Sequence, residues 1–516
     1  MPRTTDLVAA TALAVGLSAR TEQRRVAATA KLGHKQSELG QFFTPELAAA
    51  LIAGLPALPR RGRLRVLDPG AGVGTLTAAL VARVLLEGAQ LDLELVCVEV
   101  DERVAESLKQ TLDDITQTMA EAGLTATTQV ISGDYIELST SMFNRSTSLD
   151  EPFDLVVMNP PYRKLATASP HRKALANVGV DAPNLYAAFL ALGTNALRSG
   201  GQVVAITPRS FANGSYFAQF RRYLLERVAL NHLHVFESRS TVFADTGVLQ
   251  ENIVLSATRD GRRNDVILSV SRGHQDAPDA RVVSYESVVE PDDGDQFIRV
   301  PTSDEDETAV GQMAALPATL RDLGLSVSTG KVVDFRAANR LTRADVADSV
   351  PLVYPGNLRA GRVEWPRNIG KSQGLIVGSD GLSDKLVLPA GNYVLVKRFS
   401  SKEERRRIVA AVWKSDQSDG PVAFENHLNV FHIGQHGMDL DLATGLSYWL
   451  NTTLVDDYFR TFSGHTQVNA GDLKTLRFPT VDQLRSFGRE RALELPDQES
   501  IDRATAHLVC QGGLAA

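Results

Sequence analysis

Between about residues 41 and 260, short β-branched runs alternate with helical stretches, and no other feature of the 516-residue chain limits its fold as much. Candidate strands are Leu64–Leu67, Leu93–Val98, Val130–Ser132, Asp154–Met158, Gly201–Ile206, Leu233–Phe236 and Asn252–Leu255. Helices are predicted between them, for example Leu76–Leu86, Asp101–Met119 and Tyr186–Leu197. The apolar runs are continuous rather than alternating, as in strands covered on both faces. The pattern predicts an α/β fold built on a doubly wound sheet.

The alternation loses its regularity near residue 260. Acidic stretches follow, EPDDGDQ at 290–296 and SDEDE at 303–307, and these read as solvated linker. A second region, mixed α+β, is expected over 310–480, with short strands, glycines and scattered Lys and Arg. Four parts result: a helical segment 1–38, a catalytic domain 39–300, the second region 310–480 and a tail 481–516.

Composition narrows the function classes. Only two cysteines occur, Cys97 and Cys510, too few for a zinc site or a disulfide framework. The ten histidines show no zinc-ligand spacing, so no metal is expected, and His34 reads as a surface residue. No run of about 18 apolar residues predicts a membrane span. The N-terminal stretch reads as an amphipathic helix rather than a signal peptide, so a cytoplasmic location is expected. The net charge of −7 argues mildly against a polyanion binder as a whole, but a local basic face would suffice.

Four motifs lie at predicted strand ends. LDPGAGVGTLTAAL (67–80) gives a strand, a turn with Gly70, Gly72 and Gly74, and a helix start. Such a turn lets backbone approach a ligand and presents free N–H groups. It serves dinucleotide and S-adenosyl-L-methionine folds alike, and a tight βα turn alone would ask for similar glycines. In VCVEVDERV (96–104), Glu99 can accept from ribose hydroxyls, although it or Asp101 could instead cap the following helix. In ISGDYIEL (131–138), Asp134 can accept from an adenine amine and Tyr135 can cover its ring, although a Gly-Asp pair is often only a turn. The fourth is Asn159-Pro160-Pro161-Tyr162 after the strand DLVVM. The Asn amide and the Pro160 carbonyl can both accept from an amine, proline brings stiffness without a competing donor, and Tyr162 can stack on a planar substrate. These suit an exocyclic amine conjugated to a ring, whose attack leaves positive charge on nitrogen.

With GQFFTP (40–45) ahead of them, the order DPGAGVG, VEVD, GDY, NPPY resembles the N6-adenine DNA methyltransferases. The resemblance runs from about residue 30 to 480. The stretches ITPRSFANGSYFAQFRRYLL, VLQENIVL, KRFSSKEERRR and SGHTQVNAGDLKTLRFP resemble the branch of the PstI and BsuBI modification enzymes, with an Eco57I-type methylase domain. The resemblance implies a Rossmann-like S-adenosyl-L-methionine-dependent methyltransferase sheet followed by a target-recognition domain. It implies direct methyl transfer to N6 of an adenine flipped out of double-stranded DNA, with no covalent intermediate and no metal. Thr44 and Pro45 would lie against the methionine end of the cofactor, and Asp68, Gly70 and Gly72 would line its pocket. Glu99 would hold the ribose; Asp134 and Tyr135 would hold the adenine. Asn159 and Pro160 would grip the target amine, Tyr162 would stack on the base, and Phe217 would cover it, with Phe211 and Tyr216 as rivals. A separately encoded restriction endonuclease is the expected companion, and CTGCAG is the first target sequence to try.

In the second region, DNA contacts are expected from Lys331, Arg336, Arg340, Arg359, Arg362, Lys397 and Arg398. Arg405–Arg407 read instead as a solvated helix face, and Ser463–Asn469 as a loop either near DNA or simply at the surface. Competing readings are an amine methyltransferase on RNA or protein glutamine, a bifunctional restriction–modification enzyme, and an NAD-dependent dehydrogenase, which leaves NPPY unexplained. Cytosine-C5 chemistry would need a Pro-Cys loop, which neither Cys97 nor Cys510 supplies.

Overall fold

The computed structural model describes residues 4–32, 42–141, 147–236, 251–271, 278–344, 346–378, 385–401, 403–464 and 466–510. Gly40, Gln41, His34, His465 and residues 248–250 of VLQENIVL lie outside them. The chain divides into two compact units, Met1–Thr302 and Ser303–Ala516.

The first unit is built on a nine-stranded sheet in the order β3-β2-β1-β4-β5-β7-β6-β8-β9. Its strands are β1 Arg61–Pro69, β2 Gln90–Glu99, β3 Ala126–Ser132, β4 Phe153–Met158, β5 Leu197–Pro208, β6 Val228–Phe236, β7 Asn252–Arg259, β8 Val266–Ser271 and β9 Asp279–Val283. The first five pair in parallel, whereas β7 runs antiparallel to both β5 and β6. The helices are α1 Thr4–Leu32, α2 Glu46–Gly54, α3 Thr75–Leu86, α4 Glu102–Glu121, α5 Tyr135–Thr140, α6 Pro170–Asn177, α7 Leu185–Ala196 and α8 Ala218–Leu225. An all-parallel dinucleotide sheet would place β6 directly beside β5. The intervening antiparallel β7 departs from that order and argues against the dehydrogenase reading.

Sheet and helices bury two apolar clusters. Leu64, Val66, Leu95, Leu155 and Val204 join one; Leu67, Val96, Val156 and Val203 join the other. Neighbouring residues of one strand therefore enter opposite cores, which is why the runs are continuously apolar. Helix α1 belongs to this unit: it packs on α3 and α4, and Arg20 and Arg24 both reach Asp114.

The stretch 290–296 is not the loose linker expected. Asp293 and Glu290 pair with the fully buried Arg299, and the guanidinium of buried Arg221 donates to the Asp295 carbonyl. Residues 303–307 open the helix Asp304–Ala314, with Ser303 and Asp306 forming a capping box.

The second unit holds a six-stranded and a five-stranded sheet together with helices Leu440–Leu450, Thr453–Phe462, Val481–Arg489 and Gln498–Cys510. The stretch 481–510 is thus part of this unit rather than a tail. A Cβ on Gly445 would strike the Leu484 carbonyl, so the helices carrying them meet backbone to backbone. No helix among the described residues is long and apolar enough to cross a membrane.

Candidate active site

The crevice of such a sheet opens at the carboxyl ends of the strands where the order reverses, here β1 and β4. The four sequence motifs arrive there together. Gly70, Gly72, Glu99, Asp134, Tyr135, Asn159 and Pro161 line one cavity of about 830 Å³ including its mouth.

The turn after β1 is fixed by Gly70 and Ala71, whose N–H groups both donate to the Val98 carbonyl at 2.8 and 3.1 Å. Gly72 has φ +57°, and a Cβ there would sit 2.9 Å from the Phe43 ring. Only glycine meets both the left-handed backbone and that close approach. Asp68 lies behind the turn rather than on the cavity wall. It accepts from Thr77 Oγ1 at 2.7 Å, and burial, with Glu99 nearby, pushes its carboxyl up to about 7 against the pull of the Thr77 bond.

Glu99 and Asp101 divide the work that the sequence left open. Asp101 caps α4 by accepting from Arg103 N at 3.0 Å. Glu99 faces the cavity and accepts from Gly72 N at 2.8 Å, Val100 N at 2.9 Å and Asp101 N at 2.8 Å. Burial raises its pKa, and those three N–H groups oppose the rise.

Asp134 caps α5, its Oδ1 accepting from Ile136 N at 2.8 Å and Glu137 N at 3.1 Å. Its Oδ2 is 3.2 Å from His171 Nε2. Tyr135 is buried against Phe189, with ring centroids 5.1 Å apart, and both side chains line the cavity.

Asn159 explains the early motif. Its Nδ2 donates to the Phe42 carbonyl at 2.7 Å and to Thr44 Oγ1 at 3.0 Å. A backbone carbonyl can only accept, so the amide nitrogen must face it and Oδ1 must point the other way. Tyr162 Oη donates to that Oδ1 at 3.2 Å. Thr44 therefore anchors the amide instead of lining the cavity, Pro45 occupies the N-cap position of α2, and Phe42 and Phe43 form the wall. Pro160 is buried and Pro161 half-buried.

Tyr162 packs against Phe42 at 5.8 Å and edge-on to Tyr186 at 6.2 Å, and Phe217 stacks on Tyr186 at 5.7 Å. Burial raises the pKa of both Tyr162 and Tyr186, so they remain phenols. Of the two rivals to Phe217, Phe211 is fully buried and Tyr216 is 88% exposed; Phe217, 9% exposed, joins the aromatic row that ends at Tyr162.

Sequence reasoning missed Phe42, Phe43, Arg163, His171, Leu185 and Phe189 as lining residues. The two phenylalanines stood in a motif already singled out. The others belong to the segment after NPPY or to α7 and carry no spacing signal.

In the second unit the expected basic contacts separate. Arg336 is exposed, its guanidinium 5.5 Å from the 77% exposed Phe335 ring, while Arg340 and Lys397 are half-buried. Lys331 points to the Val387 carbonyl, and burial lowers its pKa. Arg359 is exposed, and Arg362 pairs with Glu494. Arg398 donates to the Asn426 carbonyl and Gln467, so much of its guanidinium is engaged internally. Residues 405–407 form no helix: Arg407 is fully buried, donating to Ser400 and to the carbonyl and hydroxyl of Ser463. Ser463 is held by those bonds, and Val468 donates to the Arg398 carbonyl.

Comparison with known proteins agrees with this geometry. Residues 83–243 match the family model described as Eco57I restriction-modification methylase. The chain is 37% identical over 498 residues to the type II methyltransferase M.PstI of Providencia stuartii, covering 96% of this chain and 97% of that protein. It is 40% identical over 464 residues to the type II methyltransferase M.BsuBI of Bacillus subtilis, covering 88% and 90%. Among solved structures, the type IIL restriction-modification enzyme MmeI in complex with DNA shares the fold at 12% identity and a TM-score of 0.56, covering 96% of this chain and 74% of that one. A strand-end cavity with this motif order, on a chain that matches two such enzymes nearly end to end, belongs to the type II DNA methyltransferases of restriction–modification systems, whose methyl donor is S-adenosyl-L-methionine.

Proposed function

We propose that this chain methylates N6 of an adenine flipped out of a specific sequence in double-stranded DNA, and that in the cell it protects that sequence from a separately encoded restriction endonuclease. The observation that carries the reading is the orientation of Asn159, whose nitrogen is held by Phe42 and Thr44 while its oxygen remains an acceptor at the cavity edge.

The cavity residues fit the methyl donor. Glu99 would hold the ribose, Asp134 would accept from the adenine amine, and the glycine turn admits close backbone approach. When bound, S-adenosyl-L-methionine supplies an electrophilic methyl group on a sulfonium. The protein's part is to hold the acceptor nitrogen. Asn159 Oδ1 and the Pro160 carbonyl accept its two hydrogens, which favours the positive charge that grows on nitrogen. Both are acceptors and neither is a base at neutral pH, so the released proton passes to water. Tyr162 steadies Oδ1 and offers a ring face to the extruded base, and Phe217 closes the same aromatic row. Extrusion costs a few kcal/mol, which stacking and the amine bonds offset.

Target reading is assigned to the second unit. Arg336 is the foremost candidate, because its charge is exposed beside an exposed aromatic ring. Lys331, Arg340, Lys397 and Arg398 follow as phosphate or base contacts. The test is single-base mapping of N6-methyladenine in DNA from a host without adenine methylation, expressing either the intact protein or Asn159→Ala. A methylated motif seen only with the intact protein is expected, with CTGCAG inspected first. A soluble protein that binds the cofactor yet leaves no adenine mark would end the reading and move attention to amines of RNA or protein.

A further inference from the structure

The segment that follows NPPY returns to the cavity, where His171 lines it together with Asp134 and Tyr135. Its two edges are zipped together: Leu185 N donates to the Arg163 carbonyl at 2.9 Å, and Leu165 N to the Pro183 carbonyl at 3.1 Å. Within the loop so closed stands α6, started by Ser169, which accepts from Arg172 N. Arg172 in turn donates to the Ala182 carbonyl and pairs with Asp181 at 2.9 Å, tying α6 to the far edge. Helix α6 packs on α5, the helix that Asp134 caps. The side chain that crosses between them is His171, which lines the cavity and places Nε2 3.2 Å from Asp134 Oδ2 and 3.9 Å from Glu137.

A carboxylate oxygen can only accept, so a hydrogen bond across this contact requires the hydrogen on Nε2. Asp134 Oδ1 accepts from the two N–H groups of α5, and the His171 ring nitrogen stands 3.2 Å from Oδ2. One acceptor direction of Oδ2 is left.

We propose that His171 is a positioning residue that locks Asp134 so that its remaining acceptor reads the 6-amino group of the cofactor's adenine, linking recognition of that base to the loop that begins with the catalytic motif. The proposal rests on the cofactor reading given above and names the residue that makes it selective. The rigid acceptor favours a purine with an amine at position 6 over one with a carbonyl there. Without His171 the carboxylate can turn, and the preference weakens.

The experiment compares binding of S-adenosyl-L-homocysteine and S-inosyl-L-homocysteine by calorimetry, with no turnover involved. Wild type is expected to prefer the adenosyl compound by roughly a hundredfold, the value of a charged hydrogen bond lost and a repulsion gained. His171→Ala should weaken adenosyl binding by roughly tenfold and inosyl binding far less, shrinking the preference. His171→Gln, which retains an N–H donor, should recover part of it and keeps the test usable if the alanine variant folds poorly. An equal loss on both compounds, or an unchanged preference, would overturn the latch while leaving the cofactor reading intact. Wild type that binds both compounds equally would remove the Asp134 assignment and the latch together. Wild type that binds neither would remove the cofactor reading itself.

Discussion

The two units use buried polar groups for opposite ends. In the first, the buried carboxylate Glu99 and the half-buried Asp134 and Asn159 stand at a cavity wall, each held by neighbours. In the second, buried polar groups are turned inward. Arg407 clamps Ser400 and Ser463, and Asp456 accepts from the backbone of Arg407 and Ile408. The contrast separates groups held ready for a ligand from groups consumed in holding the fold, and charge alone does not tell them apart.

The strongest way to break that contrast is at Asn159. If its oxygen is held for the target amine, Asn159→Ala should lower kcat by about 10²–10³, the usual loss when one preorganised transition-state partner is removed. Cofactor affinity should stay within a few-fold, and the melting temperature should fall only modestly, since the Phe42 carbonyl, Thr44 and Tyr162 each lose one partner. A loss confined to cofactor binding would place Asn159 with the structural group instead.

Arg407 and Arg336 test the other side. Arg407→Ala leaves the Ser463 hydroxyl and carbonyl short of donors and opens a cavity, which should cost about 3 kcal/mol of stability in the second unit. DNA affinity should fall only where the protein unfolds. Arg336→Ala should leave stability alone, and in a filter-binding series it should reduce the salt slope of DNA binding by about one. Were the two variants to exchange phenotypes, the assignment of buried and exposed charge would be reversed. A smaller effect is expected at Thr44. Thr44→Val removes one of two acceptors for Asn159 Nδ2 and should reduce kcat by roughly fivefold, with Thr44→Ser restoring it.

Legibility in the sequence follows the distance along the chain between partners. Glu99 is held by Val100 and Asp101, and Asp134 by Ile136 and Glu137, all within a few residues, so the motif contains most of its own positioning. Arg407 and Ser463 stand 56 residues apart, and Arg398 and Gln467 stand 69 apart. Nothing in KRFSSKEERRR discloses that its last arginine is buried, so a basic run there reads as a solvated face. The same reason hid the partners of Asn159, which lie 115 and 117 residues upstream: GQFFTP could be singled out, but not that Thr44 holds an amide while Phe42 and Phe43 form the wall. The sheet was legible because β-branched runs and glycine turns are local signals. The place of 481–510 was not, because its helices are explained only by surfaces such as Gly445 that they cover.

The contrast also runs within the first unit, on β6 and β8, where buried polar groups serve the fold and not the cavity. His232 Nε2 and His234 Nδ1 both contact Ser269 Oγ, at 2.6 and 2.8 Å, and His234 Nε2 contacts Ser271 Oγ at 3.2 Å. Ser269 has one hydrogen to give. With both rings neutral it can donate to one and accept from the other; with both charged, both ring nitrogens donate and its own hydrogen loses its partner. Burial accordingly pushes both histidines down to about 4. The unfolded chain takes up these protons near 6.5 and the folded chain resists until about 4, so their contribution to stability is complete above the higher value and is lost as pH falls between the two. Each group contributes a slope of at most about 1.4 kcal/mol per pH unit. Asp68 acts with the opposite sign, its contribution complete below the ordinary carboxylate value and lost as pH rises through about 7. The measurement is therefore a difference: melting of wild type against a His232→Gln, His234→Gln variant from pH 7.5 to 5. The variant should start less stable and lose less on acidification, so that the two curves approach each other. Parallel curves would mean that the histidines titrate alike in both states, and the serine pair would then hold them without selecting their charge.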